Sequence, residues 1–518
     1  MDRITSISKP VLIVLAVAML IGQLVVMTGY LAAASNHRGV VSARDDDAGA
    51  AIEQTVNTRL YNQVTSHFYG PVYFRVAHVI AALAPLDTGG ANLDRRETIE
   101  RGNHLILMFV SLASLVGLAY LLVSIISTDF AIRLAGTSCL VYLLLSNETW
   151  RLFVFRAHPD HLFGLLVAVA TILSFRALQR PDEPDRLRTA ALAWGVAAGT
   201  KLTILLFAPA VFLLIWNRLD RAALLRTFRF GGWTLLAFLA VGFPASIQLD
   251  KSFKAMVYQS QFSVAPTIAS GFEMGGTFAR QLILPLLFLL VLGIVCGSRR
   301  RSSNGGLLRF VGIMHIPLFL LLARRVLSPD EYYPIPFVAL SLVCLALVLR
   351  SRVEGFVTLR WRPAMLVATI LVWSLTAGWT PRGLGKTLAK QTECLAEAED
   401  LYAVVKDLQA NGKHLALTPY FPFNRADDTN VVLFWSAQLA ILEAEKLEYV
   451  GLNSRYYERF FDSQRHGYVA ADGTSIAEGA RFFALFADKQ QTTDPRGRSW
   501  QLIRRDDCGF ELWQRVGE

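Results

Sequence analysis

The chain reads as a polytopic α-helical membrane protein with a C-terminal extracytoplasmic α/β domain, on three observations. First, 53% of its 518 residues are hydrophobic, 18% are charged and the mean hydropathy is +0.39, well away from the roughly 25% charge usual in soluble domains. Second, apolar runs near the roughly 20 residues that a bilayer requires recur along the first three quarters of the chain. Third, the arginines between those runs gather in clusters that alternate with arginine-poor connections, as the positive-inside rule demands.

About eleven spans are expected, centred near residues 22, 114, 138, 169, 194, 209, 238, 287, 316, 342 and 371. The first follows a short basic start (Arg3, Lys9) and is too long for a signal-peptide core, so an uncleaved anchor is expected despite Ala32-Ala33-Ala34. A cytoplasmic N-terminus puts four clusters on one side. They are Arg176/Arg180/Arg186/Arg188, Arg218/Arg221/Arg226/Arg229, Arg299-Arg300-Arg301 and Arg350/Arg352/Arg360/Arg362. The expected location is a bacterial-type inner membrane, multi-pass, with residues 1–380 as the transmembrane module and 381–518 as a domain outside.

Net charge is +10, which invites a nucleic-acid reading. From Pro381 onward, however, 17 Lys+Arg face 20 Asp+Glu, a net of −3. The membrane part therefore carries about +13 in short loops, where it sets topology. No basic arm, nucleic-acid motif, Walker loop, Gly-rich dinucleotide fingerprint or Cys-x-x-Cys is present, so neither nucleic-acid binding nor nucleotide-driven work is expected.

Three segments share the outer face: the loop 35–103, the loop 248–277 and the tail from Pro381. Short outer connections add Asn147 to Asp160, Gly199-Thr200-Lys201, and Arg324-Arg325 through Tyr333. In the first loop Ala50 to Gln63 can form a helix with an apolar stripe (Ile52, Val56, Leu60) suited to a membrane surface. Phe68 to Leu86 reads as an interfacial helix, because a crossing there would turn every later arginine cluster outward. In the tail, helices are expected at 385–410, 434–447 and 475–487. A buried strand is expected at His414–Thr418, and a closing hairpin of Trp500–Arg504 with Phe510–Trp513. Cys139, Cys296 and Cys344 lie in apolar runs and are expected to serve packing.

The first loop also carries Arg44-Asp45-Asp46-Asp47. A solvated charged loop is its plain reading. Three adjacent carboxylates at the rim of a membrane core also mark a place where chemistry can occur. On the same face Arg44, Lys201, Arg324 and Arg325 supply cations, and Tyr69, Tyr73, Tyr332 and Tyr333 supply rings suited to an interface and to sugars. Lys201 opens an apolar run, which is costly unless it snorkels to water or meets an anion. This set suits one reaction. Cations would hold the phosphate of a polyprenyl-phosphate-linked sugar, while a carboxylate takes the proton from an attacking acceptor hydroxyl. The acceptor would be a glycan, a lipid or a protein. The alternative is a transporter or flippase for a lipid-linked or amphipathic anion; a scaffold with an outer binding domain is a third reading. For His158-Pro159-Asp160-His161 a divalent metal site competes with a plain helix start with polar capping; Pro159 and the short spacing favour the helix start, and no cofactor is expected.

The motifs resemble those of the GT-C superfamily of membrane glycosyltransferases, including the protein O-mannosyltransferases and lipid A aminoarabinose transferases. Asp46-Asp47-Ala48 resembles their first-loop acid pair, and Tyr69-Gly70-Pro71-Val72-Tyr73 their Pro-Pro-Leu-x-Tyr element. Arg156-Ala-His158-Pro159-Asp160-His161-Leu162 is similar to an Arg-Pro-Asp/Glu-x-Leu helix start. Gly195 to Leu202 resembles a Gly-x-x-x-Gly-x-x-Lys hairpin, and Tyr332-Tyr333-Pro334-Ile335-Pro336 a Tyr-x-x-Pro-x-x-Pro entry to a late span. The resemblance covers roughly residues 1–350. It departs from the family by one missing proline at Gly70-Pro71, by Ala50, and by the extra His158. It implies Asp46 as base, with Asp45 and Asp47 beside it; Arg44, Lys201, Arg324, Arg325 and Tyr333 at the donor phosphate; and Tyr69, Tyr73, His158, Asp160 and Tyr332 toward the head group or acceptor.

Cys394 and Cys508 are the two cysteines of the tail, on the expected oxidising side, and are predicted to pair. Both should take up an alkylating label only after reduction; labelling of both in unreduced protein would remove the pairing.

Overall fold

The structure is a computed structural model. It describes residues 9–35, 72–73, 92–155, 159–180, 183–216, 221–243, 305–318, 320, 335–350 and 362–376. In the C-terminal part it describes 407, 410–411, 415–417, 431–434, 449–451, 459–462, 467–470, 491–493, 499–505 and 511–515. The chain divides into two compact units. Among the described residues the first unit holds most of a helical bundle, and the second holds the β-strands together with the helical segments 29–35 and 92–104.

The bundle elements are α1 (Lys9–Ser35), α2 (Asn92–Ile126), α3 (Phe130–Ser146), α4 (Glu148–Phe155), α5 (Asp160–Gln179) and α6 (Pro184–Ala198). The 3₁₀ segment η1 (Leu202–Phe207) then leads to α7 (Ala208–Ile215), α8 (Arg221–Gly242), α9 (Gly305–Met314), α10 (Ile335–Arg350) and α11 (Arg362–Thr376). Among the described residues, four stretches are long and apolar enough to cross a bilayer: Lys9–Met27, Ile106–Ile126, Asp160–Gln179 and Ala223–Gly242. Shorter apolar helices run over Phe130–Ser146, Thr203–Ile215, Arg309–Leu318, Ile335–Arg350 and Arg362–Leu375. The chain is a polytopic helical membrane protein. Helices stand at the expected centres except near residue 287, which lies outside the described residues. One short helix, α4, was not expected. It fills the connection between Asn147 and Asp160, with the Asn147 Oδ1 accepting from Trp150 N at 3.4 Å.

Local chemistry explains where these helices begin. Asp129 caps α3, its Oδ1 accepting from the amides of Ala131 and Ile132 at 2.9 and 3.4 Å. Its other oxygen receives Lys9 Nζ at 2.6 Å, and that bond above all holds the carboxyl below the usual carboxylate range. Pro184 opens α6, where its missing N–H costs nothing. Just before it, hydrogen bonds from Arg180 and Arg186 hold the Glu183 carboxyl low.

These contacts define one end of the bundle, where Lys9, Asp129, Arg180–Arg188 and the Arg362 Nη1 bond to Arg350 O gather. Serines tie the helices together above it, with Ser138 Oγ donating to Ala16 O at 2.9 Å and Ser374 Oγ to Leu143 O at 3.4 Å. His315, just after α9, and Ser341 of α10 meet at 3.1 Å in a fully packed setting. Polar links of this kind suit a bundle whose surroundings give no hydrophobic drive to helix association.

The α6–α8 crossing is the tightest. A Cβ on Gly195 would lie 2.3 Å from Thr234 O and 2.6 Å from Ala237 Cβ, so only glycine lets these backbones meet. Thr234 Oγ1 completes the contact by donating to Ala191 O at 3.1 Å.

In the second unit six strands form one mixed sheet in the order β3-β1-β2-β8-β7-β6. They are β1 (Leu415–Leu417), β2 (Val431–Phe434), β3 (Tyr449–Gly451), β6 (Gln491–Thr493), β7 (Ser499–Arg505) and β8 (Glu511–Arg515). A separate pair is β4 (Arg459–Asp462) with β5 (Gly467–Ala470). β1 runs parallel to both neighbours, while β7 and β8 form the expected antiparallel hairpin. Phe434 ends a strand rather than starting a helix. The run Val431–Phe434 is continuous and apolar, and short runs of that kind suit either element. The helices expected at 435–447 and 475–487, and Cys394 and Cys508, lie outside the described residues.

Gly195→Ala should cost about 1–3 kcal/mol of stability through overpacking against a backbone that cannot retreat. Gly231 has nothing within 4 Å of its added Cβ, so Gly231→Ala should leave stability unchanged or raise it by up to about 1 kcal/mol. Thermal unfolding of the purified variants compares the two.

Candidate functional site

The end of the bundle opposite Lys9 and Arg180–Arg188 gathers polar groups from several elements. There the start of α5 and the end of α6 lie side by side, because the two helices form an antiparallel hairpin closed at Arg180–Glu183. Asp160 is the first residue of α5 and is fully buried. Lys201 follows the end of α6 and is 5% exposed. Lys201 Nζ donates to Asp160 Oδ1 at 2.6 Å.

This pair has a local cause. The α6 helix tightens through Gly199 N to Gly195 O, Thr200 N to Ala197 O and Lys201 N to Ala197 O, then breaks with Lys201 extended. The break turns the lysine toward α5 instead of along the α6 axis. Each charge would be prohibitively placed alone in such a setting, and pairing removes most of that cost. The expectation of polar capping at this helix start is corrected. The cap residue is Pro159, which makes no side-chain cap bond, and the Asp160 carboxylate goes to Lys201.

His161, also buried, donates from Nε2 to the Trp150 carbonyl at 2.9 Å, since a carbonyl only accepts. The two rings lie 5.6 Å apart, and Trp150 stands edge-on to Trp373 of α11 at 5.9 Å. Arg151, 4% exposed, donates to Leu145 O at 3.4 Å. Gly164 of α5 meets Ile335 and Pro336 at the start of α10. Below them Phe207 joins Phe163, Trp194 and Phe337 in one aromatic cluster.

The segment between α1 and α2 returns to this same end. The Val72 amide donates to Gly199 O at 3.1 Å. Tyr73 is helical and fully buried. Its hydroxyl donates to Leu107 O at 2.9 Å and shares a hydrogen bond with Ser111 Oγ at 2.9 Å. Tyr73, expected to offer its ring to a sugar, has its hydroxyl engaged by α2, as burial of a phenol requires.

Among the sequence-predicted site residues, Asp160, Lys201 and Tyr73 are brought to one end, with Asp160 and Lys201 in direct contact. Asp45, Asp46, Asp47, Arg44, Tyr69, His158, Arg324, Arg325, Tyr332 and Tyr333 lie outside the described residues. Sequence reasoning overlooked Trp150, Arg151 and Ser111. An arginine within an apolar run, as in Trp150-Arg151-Leu152, was a readable signal; a serine in α2 was not.

A helical membrane protein with a buried ion pair and a docked connecting segment at one end is thus the class that fold and site define. No family model matches the chain, and no curated protein matches it. Among solved structures it is similar to the crystal structure of ArnT from Cupriavidus metallidurans bound to undecaprenyl phosphate, with 11% identity over 96% of this chain and 97% of that one, at a TM-score of 0.49.

Breaking the pair from one side should cost more than removing it. Lys201→Met, which leaves Asp160 buried without its cation, should lose about 3–5 kcal/mol. Adding Asp160→Asn should recover much of that loss, as read by thermal unfolding of single and double variants.

Proposed function

We propose that the chain is an integral-membrane glycosyltransferase that moves a sugar from a polyprenyl-phosphate donor to an acceptor hydroxyl on the extracytoplasmic face. Asp46 is the general base, with Asp45 and Asp47 beside it. The observation that carries this reading is the convergence at one bundle end. The segment following the acidic loop docks on Gly199, two residues before Lys201, and Lys201 meets Asp160. Arginine-rich connections gather at the opposite end, which supports taking the Asp160 end as extracytoplasmic.

In this reading the lipid tail of the donor stays in the bilayer while its phosphate and sugar reach the outer end of the helices. Arg44, Arg324, Arg325 and Tyr333 hold the phosphate and stabilise the charge that grows on it as the sugar leaves. Lys201, bonded to Asp160, adds its positive charge to that hold. The acceptor oxygen attacks the anomeric carbon, its proton passes to Asp46, and the bond from that carbon to the phosphate oxygen breaks. Tyr69, Tyr332 and His158 face the sugar or the acceptor.

Burial of the ion pair at a helix end, not at mid-depth, supports an enzyme over a flippase, since transporters place such groups near the bilayer midplane. Membranes carrying Asp46→Asn should insert the protein normally but lose transfer of labelled sugar by roughly 10²–10⁴-fold. Unchanged transfer in Asp45→Asn, Asp46→Asn, Asp47→Asn and the Asp45/Asp46 double variant alike would remove the base. Donor binding should tighten at low ionic strength, and that dependence should weaken when Arg44 and Arg324 are neutralised.

A further inference from the structure

The seam between α6 and α8, at the Arg180–Arg188 end of the bundle, carries charge that helix packing does not use. Arg226, Arg229 and Trp233 fall on one flank of α8 by the helical repeat. Arg188 of α6 reaches across to that flank, its guanidinium 5.7 Å from the centre of the Trp233 ring. Arg226 and Arg229 lie inside Ala223–Gly242, a stretch long and apolar enough to cross a bilayer, and α8 has no acid of its own. Asp185 takes one bond from Arg188 at 3.1 Å, but its side chain is 80% exposed, and so open a pair contributes little.

Arg229 is exposed, and Leu225 and Phe228 beside it are exposed as well. A guanidinium on an apolar, lipid-facing surface is costly unless it finds water or an anion at the head-group level. Gly232 lies one turn beyond Arg229 and one turn before the exposed Leu236, and a Cβ on it would have nothing within 4 Å. No neighbour calls for a glycine there, although glycine disfavours a helix. It leaves a notch in the side-chain cover that runs from Arg229 toward Leu236.

We propose that this seam binds an anionic phospholipid of the leaflet at that end. Arg188 and Arg229 hold its phosphate through their planar forks, which match phosphate oxygens in pairs. Trp233 lies at the head-group level, as interfacial tryptophans do, and an acyl chain lies along the Gly232 notch toward Leu236. Charge selects the occupant. A row of guanidiniums with one exposed carboxylate favours a net-negative head group over a zwitterionic one, by about fivefold for each arginine near the surface. The site is independent of the glycosyltransferase reading.

The test uses the full chain in nanodiscs of phosphatidylcholine mixed with phosphatidylglycerol, and reads by native mass spectrometry which lipids stay with the released protein. Wild type should retain phosphatidylglycerol in preference to phosphatidylcholine. Arg188→Gln and Arg229→Gln should each cut that preference about fivefold. Arg229→Lys should keep part of it, because the charge stays while the fork is lost. Gly232→Leu changes no charge and should also lower the preference, by filling the notch. The control is Arg309→Gln, which removes an exposed arginine from α9 and should leave the preference as in wild type. Should Arg188→Gln fail to fold, the exposed positions Arg229 and Gly232 still carry the test. Equal losses in Arg309→Gln and Arg229→Gln would overturn the site, because net charge alone would then account for retention. Unchanged preference in both Arg229→Gln and Gly232→Leu, or no preference in wild type, would overturn it outright.

Discussion

A lysine ammonium and an aspartate carboxylate buried together between helices are the constraint on which the bundle end depends. Neither charge is tolerable alone at 5% or no exposure, so the start of α5 and the end of α6 must meet at one height and in one orientation. That fixes where α6 breaks, where η1 begins, and which way the turn at Gly199–Lys201 faces. Apolar side chains tolerate sliding; an ion pair of 2.6 Å does not. The pair specifies geometry more than it contributes net stability.

Around that point the fold uses small residues for close approach and polar ones for registration. Gly195 and Gly199 sit one turn apart on α6 and do different work: Gly195 admits the α8 backbone, and Gly199 admits the returning loop. Hydroxyls of Ser138, Thr234 and Ser374 bridge helices to backbone carbonyls. The Trp150, His161 and Trp373 rings then close the end with aromatic surface that also carries hydrogen-bonding edges. A rigid end of this kind is what a site needs when its remaining parts arrive on loops.

Much of the membrane architecture was legible because bilayer length and charge asymmetry act on linear stretches of chain. The spans near 22, 114, 169 and 238, and the β7–β8 hairpin, are local features of that sort. The site was legible only by residue type. Lys201 was noticed for the cost of placing a cation at the head of an apolar run, and Asp160 for its place before one. That they pair across 41 positions is a long-range fact with no local signature. The partner of the Tyr73 hydroxyl was out of reach for the same reason: an amphipathic ring looks alike in sequence whether its hydroxyl meets a ligand or the carbonyl of Leu107. Val431–Phe434 was too short and too uniformly apolar for period to distinguish strand from helix.

The sequence by itself determined that this is a many-span helical membrane protein, which of its loops are basic, and which residue types crowd the loops between spans, because hydrophobic length and charge are properties of contiguous residues. Tertiary structure alone decided that Asp160 is answered by Lys201, that Gly199 is a docking point rather than a conformational one, and that Tyr73 faces inward to α2. Those outcomes depend on which helix ends share one level of the bundle, and that is set by packing between segments far apart in the chain.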